Sequence, residues 1–177
     1  MATRAELKAA RLAARDMLPY CDVLYNTARH YKSGMPIDIL EIGVRRGSST
    51  KAFLRGIKDR LGEAHLYSID KGDRSRIVRS KDYNQYWTFI LGDSTMVKWD
   101  KKIDVLFIDG DHSYEGVKKD FLKYEPYVQS NGLIFMHDIT HKHFGVKEFW
   151  KEVGYPKANL ALNGVGFGII NKIWGIF

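Results

Sequence analysis

Residues 37–50 read IDILEIGVRRGSST. The first six are mostly β-branched or apolar, are few enough for one strand, and run straight into Gly43, as a buried strand meeting a turn should. Gly43 and Gly47 punctuate the turn, and Ser48, Ser49 and Thr50 open what reads as a helix over 49–61. Strand, glycine turn and helix in succession make the first half of a βαβ unit.

The same alternation continues downstream. HLYSID (65–70) reads as a second strand, YWTFILGD (86–93) as a third, IDVLFIDG (103–110) as a fourth and GLIFMHD (132–138) as a fifth, with a helix over 114–128 before the last. Right-handed crossovers put the helices on both faces of a parallel sheet, so the expected fold is doubly wound α/β. Upstream, Leu7, Ala10, Ala14, Met17, Cys21, Leu24 and Ala28 recur at three and four, which predicts a helical N-terminal extension over 1–35 divided near Pro19. After a short helix over 146–153, NLALNGVGFGIINK (159–172) reads as an antiparallel hairpin turning at Asn163-Gly164. Its GVGFG is a turn signal, since no helix follows.

At 177 residues and 45% apolar, the chain suits one domain over 1–177 with a sizeable core. The lone cysteine, Cys21, excludes an intramolecular disulfide framework and any CxxC metal knuckle. With no apolar leader at the N-terminus, the expected compartment is the cytoplasm. The tail from Asn159 is apolar but broken by Asn163, Asn171, Lys172 and glycines, so no membrane span is expected. A formal charge of +7 favours anionic partners, and the densest basic stretch is KGDRSRIVRSKD (71–82), either a solvated face or a surface for phosphate. The helical extension and the apolar tail are both candidate homodimer surfaces.

In doubly wound sheets ligands bind beyond the carboxyl ends of the strands, where several polar residues fall. The GxxxG spacing of Gly43 and Gly47 disfavours a GxGxxG pyrophosphate turn but leaves helix-start N–H groups that attract a negative group such as a carboxylate. Asp70 ends the second strand, where a carboxylate accepts from a ribose diol. Asp93 and Ser94 end the third, where they suit an adenine amine and ring. Asp109 and Asp138 end neighbouring strands about 4.8 Å apart, so their carboxylates can converge on a hard cation.

With this order of motifs, EIGVRRGSS, YSID, LGDS, FIDGDH and GLIFMHD, the chain resembles the class I S-adenosylmethionine-dependent methyltransferases over residues 35–172. The resemblance implies a mainly parallel seven-stranded Rossmann-like sheet, with the terminal hairpin as the sixth and seventh strands. By carry-over, Glu41, Gly43, Gly47 and Ser49 would hold the methionine part of S-adenosyl-L-methionine, Asp70 its ribose, and Asp93 with Ser94 its adenine. IDGDHSYEGVKKDFLKYEPYVQSNGLIFMHD further resembles small-molecule and sugar O-methyltransferases, some of which bind magnesium at these strand ends. That implies Mg²⁺ on Asp109, His137 and Asp138, although His137 stands where those relatives carry another carboxylate or amide. Asp109 and His112 would be catalytic, with His112 in the D-x-x-H position of the base. A histidine titrates near working pH, which suits it to take a hydroxyl proton. Asp111 would ligate the metal or orient His112.

The reading is therefore an O-methyltransferase acting on a small-molecule hydroxyl, anionic or glycosylated. Its rivals are an RNA ribose methyltransferase using the basic stretch, a nicotinamide-dependent oxidoreductase, and a non-catalytic nucleoside-binding module. His137, His141 and His143 lack the cysteine partners of a zinc site, and one or two of them line the acceptor pocket. Trp99, Tyr114, Phe144 and Trp150 are either pocket walls or core.

Overall fold

A computed structural model describes residues 17–77, 83–161 and 164–172. The expected helical positions before Met17, residues 78–82 of the basic stretch, Asn163 and the tail beyond Lys172 lie outside the described residues. The described elements run α1 (Leu18–His30), β1 (Ile37–Ile42), α2 (Ser48–Lys58), β2 (Ala64–Asp70), β3 (Trp87–Leu91), β4 (Ile103–Ile108), α3 (Tyr114–Tyr124), a 3-10 turn (Glu125–Tyr127), β5 (Val128–His137), α4 (Val146–Glu152), β6 (Lys157–Ala161) and β7 (Phe167–Lys172).

Among the described residues, seven strands form one sheet in the order β3-β2-β1-β4-β5-β7-β6. Strands β1 to β5 are parallel, while β7 runs antiparallel to both β5 and β6. The doubly wound sheet and its closing hairpin are thus as the sequence predicts. Strand order reverses between β1 and β4, and the alternation of their side chains builds an apolar layer on each face. Leu40, Ile42, Leu106, Ile108, Ile134 and Met136 pack with Val117 and Phe121 of α3 and with Phe149 and Trp150 of α4. Ile39, Val105, Phe107 and Phe135 pack on the other side with Leu24 and Ala28 of α1 and with Phe53, Leu54 and Ile57 of α2.

Two boundaries differ from expectation around Pro126. The helix expected to reach 128 ends at Tyr124, because Pro126 has no N–H to continue the helical ladder and the chain tightens into the 3-10 turn. β5 then starts at Val128 rather than 132, with Asn131 in left-handed backbone (φ 62°) and a register shift in its pairing with β4. Lys172 ties β7 to this corner, standing 2.7 Å from Glu125 Oε1 and donating to the carbonyls of Glu125 and Val128. No helix among the described residues is long and apolar enough to cross a membrane.

A helix leaves its last carbonyls without intrahelical donors. Beyond α1 these are gathered by one side chain: the Arg60 guanidinium donates to the carbonyls of Ala28, Tyr31, Lys32 and Met35 at 2.7–3.0 Å while buried. Replacing it by methionine keeps the aliphatic stem and removes all four donors. Arg60→Met is therefore expected to lower the unfolding free energy by about 2–4 kcal/mol in chemical denaturation, because buried carbonyls lose their partners.

Candidate active site

A cleft of about 730 Å³ opens at the carboxyl ends of the central strands, where the strand order reverses. Gly43 makes the close approach of β1 and β4 possible. At φ +89° it stands where a Cβ would come within 2.1 Å of the Asp109 carbonyl oxygen. Gly47, at φ +73°, is the N-cap of α2 and has no Cβ to collide with Ile77. The first intrahelical bond of α2 runs from Lys51 N–H to the Gly47 carbonyl, and no side chain caps its start. The N–H groups of Ser48, Ser49 and Thr50 thus keep the partial positive end of the helix, which suits the carboxylate of an amino-acid moiety.

Glu41, expected from the resemblance to touch a cofactor, is placed behind the cleft wall. Its carboxylate is fully buried and accepts from the hydroxyls of Ser49, Thr50 and Ser68. Ser68 in turn accepts from Trp87 Nε1. Glu41 therefore joins β1, the first turn of α2 and β2, and sets the turn that a ligand would meet. The Ser49 hydroxyl is spent on this network, which leaves its backbone N–H for a ligand.

Asp70 lines the cleft, and it also fixes the turn after β1. One oxygen accepts from the N–H groups of Val44 and Arg45 at 2.9 Å, the other from Gly72 N–H at 2.7 Å. Asp93 closes its own turn by accepting from the N–H and hydroxyl of Thr95, and Lys71 stands 3.1 Å away. The Thr95 hydroxyl and N–H, with Lys71, pull its pKa down to about 2. Ser94 donates to Asp120 Oδ1 at 2.6 Å, and its carbonyl is held by Lys123 and Tyr124 of α3. Asp120 is buried, which pushes its carboxyl up, and it was not singled out from the sequence. The signal was present: it lies between Val117 and Tyr124 on the buried stripe of α3.

At the ends of β4 and β5 the predicted acids converge, and both histidines join them. His137 Nδ1 lies 3.1 Å from Asp109 Oδ1 and 3.3 Å from Asp138 Oδ2. His112 Nε2 lies 3.5 Å and 3.3 Å from the same two oxygens. Burial opposes charge on His137, yet its hydrogen bonds to Asp109 and Asp138 carry its pKa up to about 10. The bond to Asp109 likewise raises His112, and burial of Asp109 is outweighed by the two histidines, so its carboxyl is held low. Donor atoms of Asp109, His137 and Asp138 lie within 4.8 Å of one another, a set of two carboxylates and an imidazole that fits a divalent cation. Asp111 is elsewhere engaged, accepting from Ser113 N–H at 2.9 Å in a local turn. His141 stacks on Phe144 at 3.8 Å, and Phe144 also meets His112 at 4.4 Å. Trp99 and Trp150 are core, and the Tyr114 hydroxyl donates to Glu152.

Comparison with known proteins adds a family and a fold. The family described as "Methyltransferase domain" matches residues 40–139. A protein of Sinorhizobium fredii named "Uncharacterized protein y4gI" is 32% identical over 63 residues, 34% of this chain but 7% of that protein's length. A Staphylococcus aureus structure provisionally described as a caffeoyl-CoA O-methyltransferase superposes with a TM-score of 0.70 at 20% identity, over 87% of this chain and 83% of its own. The apo structure of CalS11, a TDP-rhamnose 3'-O-methyltransferase of calicheamicin biosynthesis, gives 0.66 at 17% identity, over 98% of this chain and 81% of its own.

Burial pushes the Glu41 carboxyl up to about 7 in spite of its three hydroxyl donors, whereas an unfolded chain releases that proton near pH 4.3. The folded chain thus binds the extra proton, and stability from this group is present at low pH and lost as pH rises. The stability difference between wild type and Glu41→Gln, followed by denaturant titration, is expected to fall between about pH 4.5 and 7.5.

Proposed function

The chain belongs to this methyltransferase family, and from that premise we propose that it transfers the methyl group of S-adenosyl-L-methionine to a hydroxyl on a small molecule or a sugar. The observation that carries the reading is the position of His112, at the cleft wall with Nε2 beside the carboxylates of Asp109 and Asp138. In this reading Gly43, Gly47 and the Ser49 N–H receive the methionine moiety, Asp70 the ribose, and Asp93 with Ser94 the adenine. Glu41 acts behind them by holding the turn. Arg45, Arg74 and Lys119 line the same cleft among Asp70, Asp93, Asp111, Glu115 and Asp120, so its wall carries both signs of charge.

The acceptor oxygen attacks the methyl carbon in line with the departing sulfur. A C–O bond forms, the C–S bond breaks with its electron pair on sulfur, and the sulfonium becomes a neutral thioether. The hydroxyl proton passes to the His112–Asp109 pair at the cleft wall, where Nε2 and the carboxylate share it. The remaining work is positioning, with the cleft bringing the two reactants together. Asp109, His137 and Asp138 would hold a divalent cation, Mg²⁺ by the sequence resemblance, which when bound supplies Lewis acidity to a neighbouring hydroxyl.

Methyl-labelled S-adenosylmethionine incubated with phenols, glycosides, nucleotide sugars and structured RNA tests this reading. Label on a small-molecule hydroxyl supports it; label on RNA ribose alone, or on no acceptor, overturns it. With an acceptor in hand, Asp109→Ala should abolish transfer. His112→Ala should lower kcat by about 10²–10⁴-fold while leaving S-adenosylhomocysteine affinity within about twofold.

A further inference from the structure

Charge holds His112 along one edge of its ring. Nε2 lies 3.5 Å from Asp109 Oδ1 and 3.3 Å from Asp138 Oδ2, and the side chain stays 28% exposed. Two such long contacts leave the tilt of the ring free, because a hydrogen bond that orients its donor is nearer about 2.9 Å and points at one acceptor. The face of the ring is fixed by a different element. Phe144 lies 4.4 Å from the imidazole, centroid to centroid and inclined at 39°, and His141 stacks on Phe144 at 3.8 Å and 16°. All three rings are half-buried. The loop that carries two of them, 139–145, is tied at both ends: Thr140 N–H donates to the Val165 carbonyl and Gly145 N–H to the carbonyl of His112 itself, each at 2.9 Å. Gly145 runs so close to the start of α3 that a Cβ there would come within 2.1 Å of Tyr114 N. One loop thus grips both the backbone and the ring of His112.

We infer that Phe144 is a positioning residue for methyl transfer: it acts through His112, holding the imidazole at the inclination from which Nε2 meets the acceptor hydroxyl. His112 lines the cleft, whereas Phe144 packs against the core that α3 and α4 share and lies outside the set of described residues that line it. A ligand in the cleft therefore meets His112 and not Phe144. A base serves a proton transfer when its nitrogen is held within about 0.5 Å and 10–20° of the productive geometry by locked neighbours. An aromatic face supplies that restraint without adding a charge or a competing donor. His141 takes the outer place in the stack, so its loss loosens Phe144 first and His112 only through it. The inference rests on the reading of His112 as the group that takes the hydroxyl proton.

The test compares the full chain with its Phe144→Leu, Phe144→Tyr and His141→Ala variants, and unfolding temperatures show which of them remain folded. Leucine keeps most of the apolar volume and removes the planar face; tyrosine keeps the face. Once an acceptor is identified, Phe144→Leu is expected to lower kcat about 10–100-fold while acceptor KM and S-adenosylhomocysteine affinity stay within about threefold. Phe144→Tyr should keep kcat within about threefold of wild type, with His141→Ala in between. A packing role alone would lower the unfolding temperature and leave kcat of the folded chain in place. A second readout needs no acceptor: proton NMR of the histidine rings, with the His112 signals assigned by their loss in His112→Asn. Those signals should show cross-relaxation to the Phe144 ring in wild type. In Phe144→Leu they should shift and broaden, while those of His65, at the start of β2, stay in place. Unchanged kcat in folded Phe144→Leu, an equal loss in Phe144→Tyr, or His112 signals unmoved by Phe144→Leu overturns the inference. Transfer that proceeds unaltered in Phe144→Leu loses this inference alone. His112 signals that respond as expected in a chain that methylates no acceptor keep the hold on the imidazole and lose the methyl-transfer reading.

Discussion

The buried carboxylate of Glu41 is the contact on which the cleft depends. Three hydroxyls, from Ser49, Thr50 and Ser68, converge on it, and Ser68 passes the connection on to Trp87 of β3. One side chain thereby sets the distance between β1, the start of α2 and β2. The turn from Gly43 to Gly47 has no such freedom left: it is anchored behind by Glu41 and in front by Asp70, whose oxygens take the N–H groups of Val44 and Arg45. A polar group buried without partners would be costly, and here every oxygen is satisfied, so the network specifies one arrangement of the turn.

Much of this fold is legible in the sequence because a parallel sheet is written in short apolar runs ending in glycine or acid. IDILEI, HLYSID and IDVLFI correspond to β1, β2 and β4 within a residue or so. The helix that ends early at Tyr124 had its signal in Pro126, whose missing N–H overrides the strong periodicity before it. At the site, Asp70, Asp93, Asp109 and Asp138 fall at the strand ends where the pattern puts them. Glu41 does not reach the cleft, because strand alternation names two faces without saying which is covered by a helix end. Asp120 and the pairing of His112 with Asp138 depend on how α3 and the β5 exit pack, and sequence spacing does not carry that information.

The two halves of the cleft are built by different means. Towards β2 and β3, carboxylates are occupied by nearby N–H and hydroxyl donors, as with Asp70 on Gly72 and Asp93 on Thr95. These are locally closed turns, tolerant of small movements elsewhere. Towards β4 and β5, Asp109, His112, His137 and Asp138 depend on one another across two segments, so each charge is set by the others' positions. His137 Nε2 adds an orphaned buried nitrogen to this half.

The antiparallel insertion of β7 between β5 and β6 has a consequence during synthesis. β5 finds its outer neighbour only in residues 167–172, well after its own 128–137 have been made. Until then a run containing Leu133, Ile134 and Phe135 presents unpaired backbone along one side, the kind of edge that recruits other chains. Docking of the terminal hairpin therefore closes that open edge as well as completing the sheet.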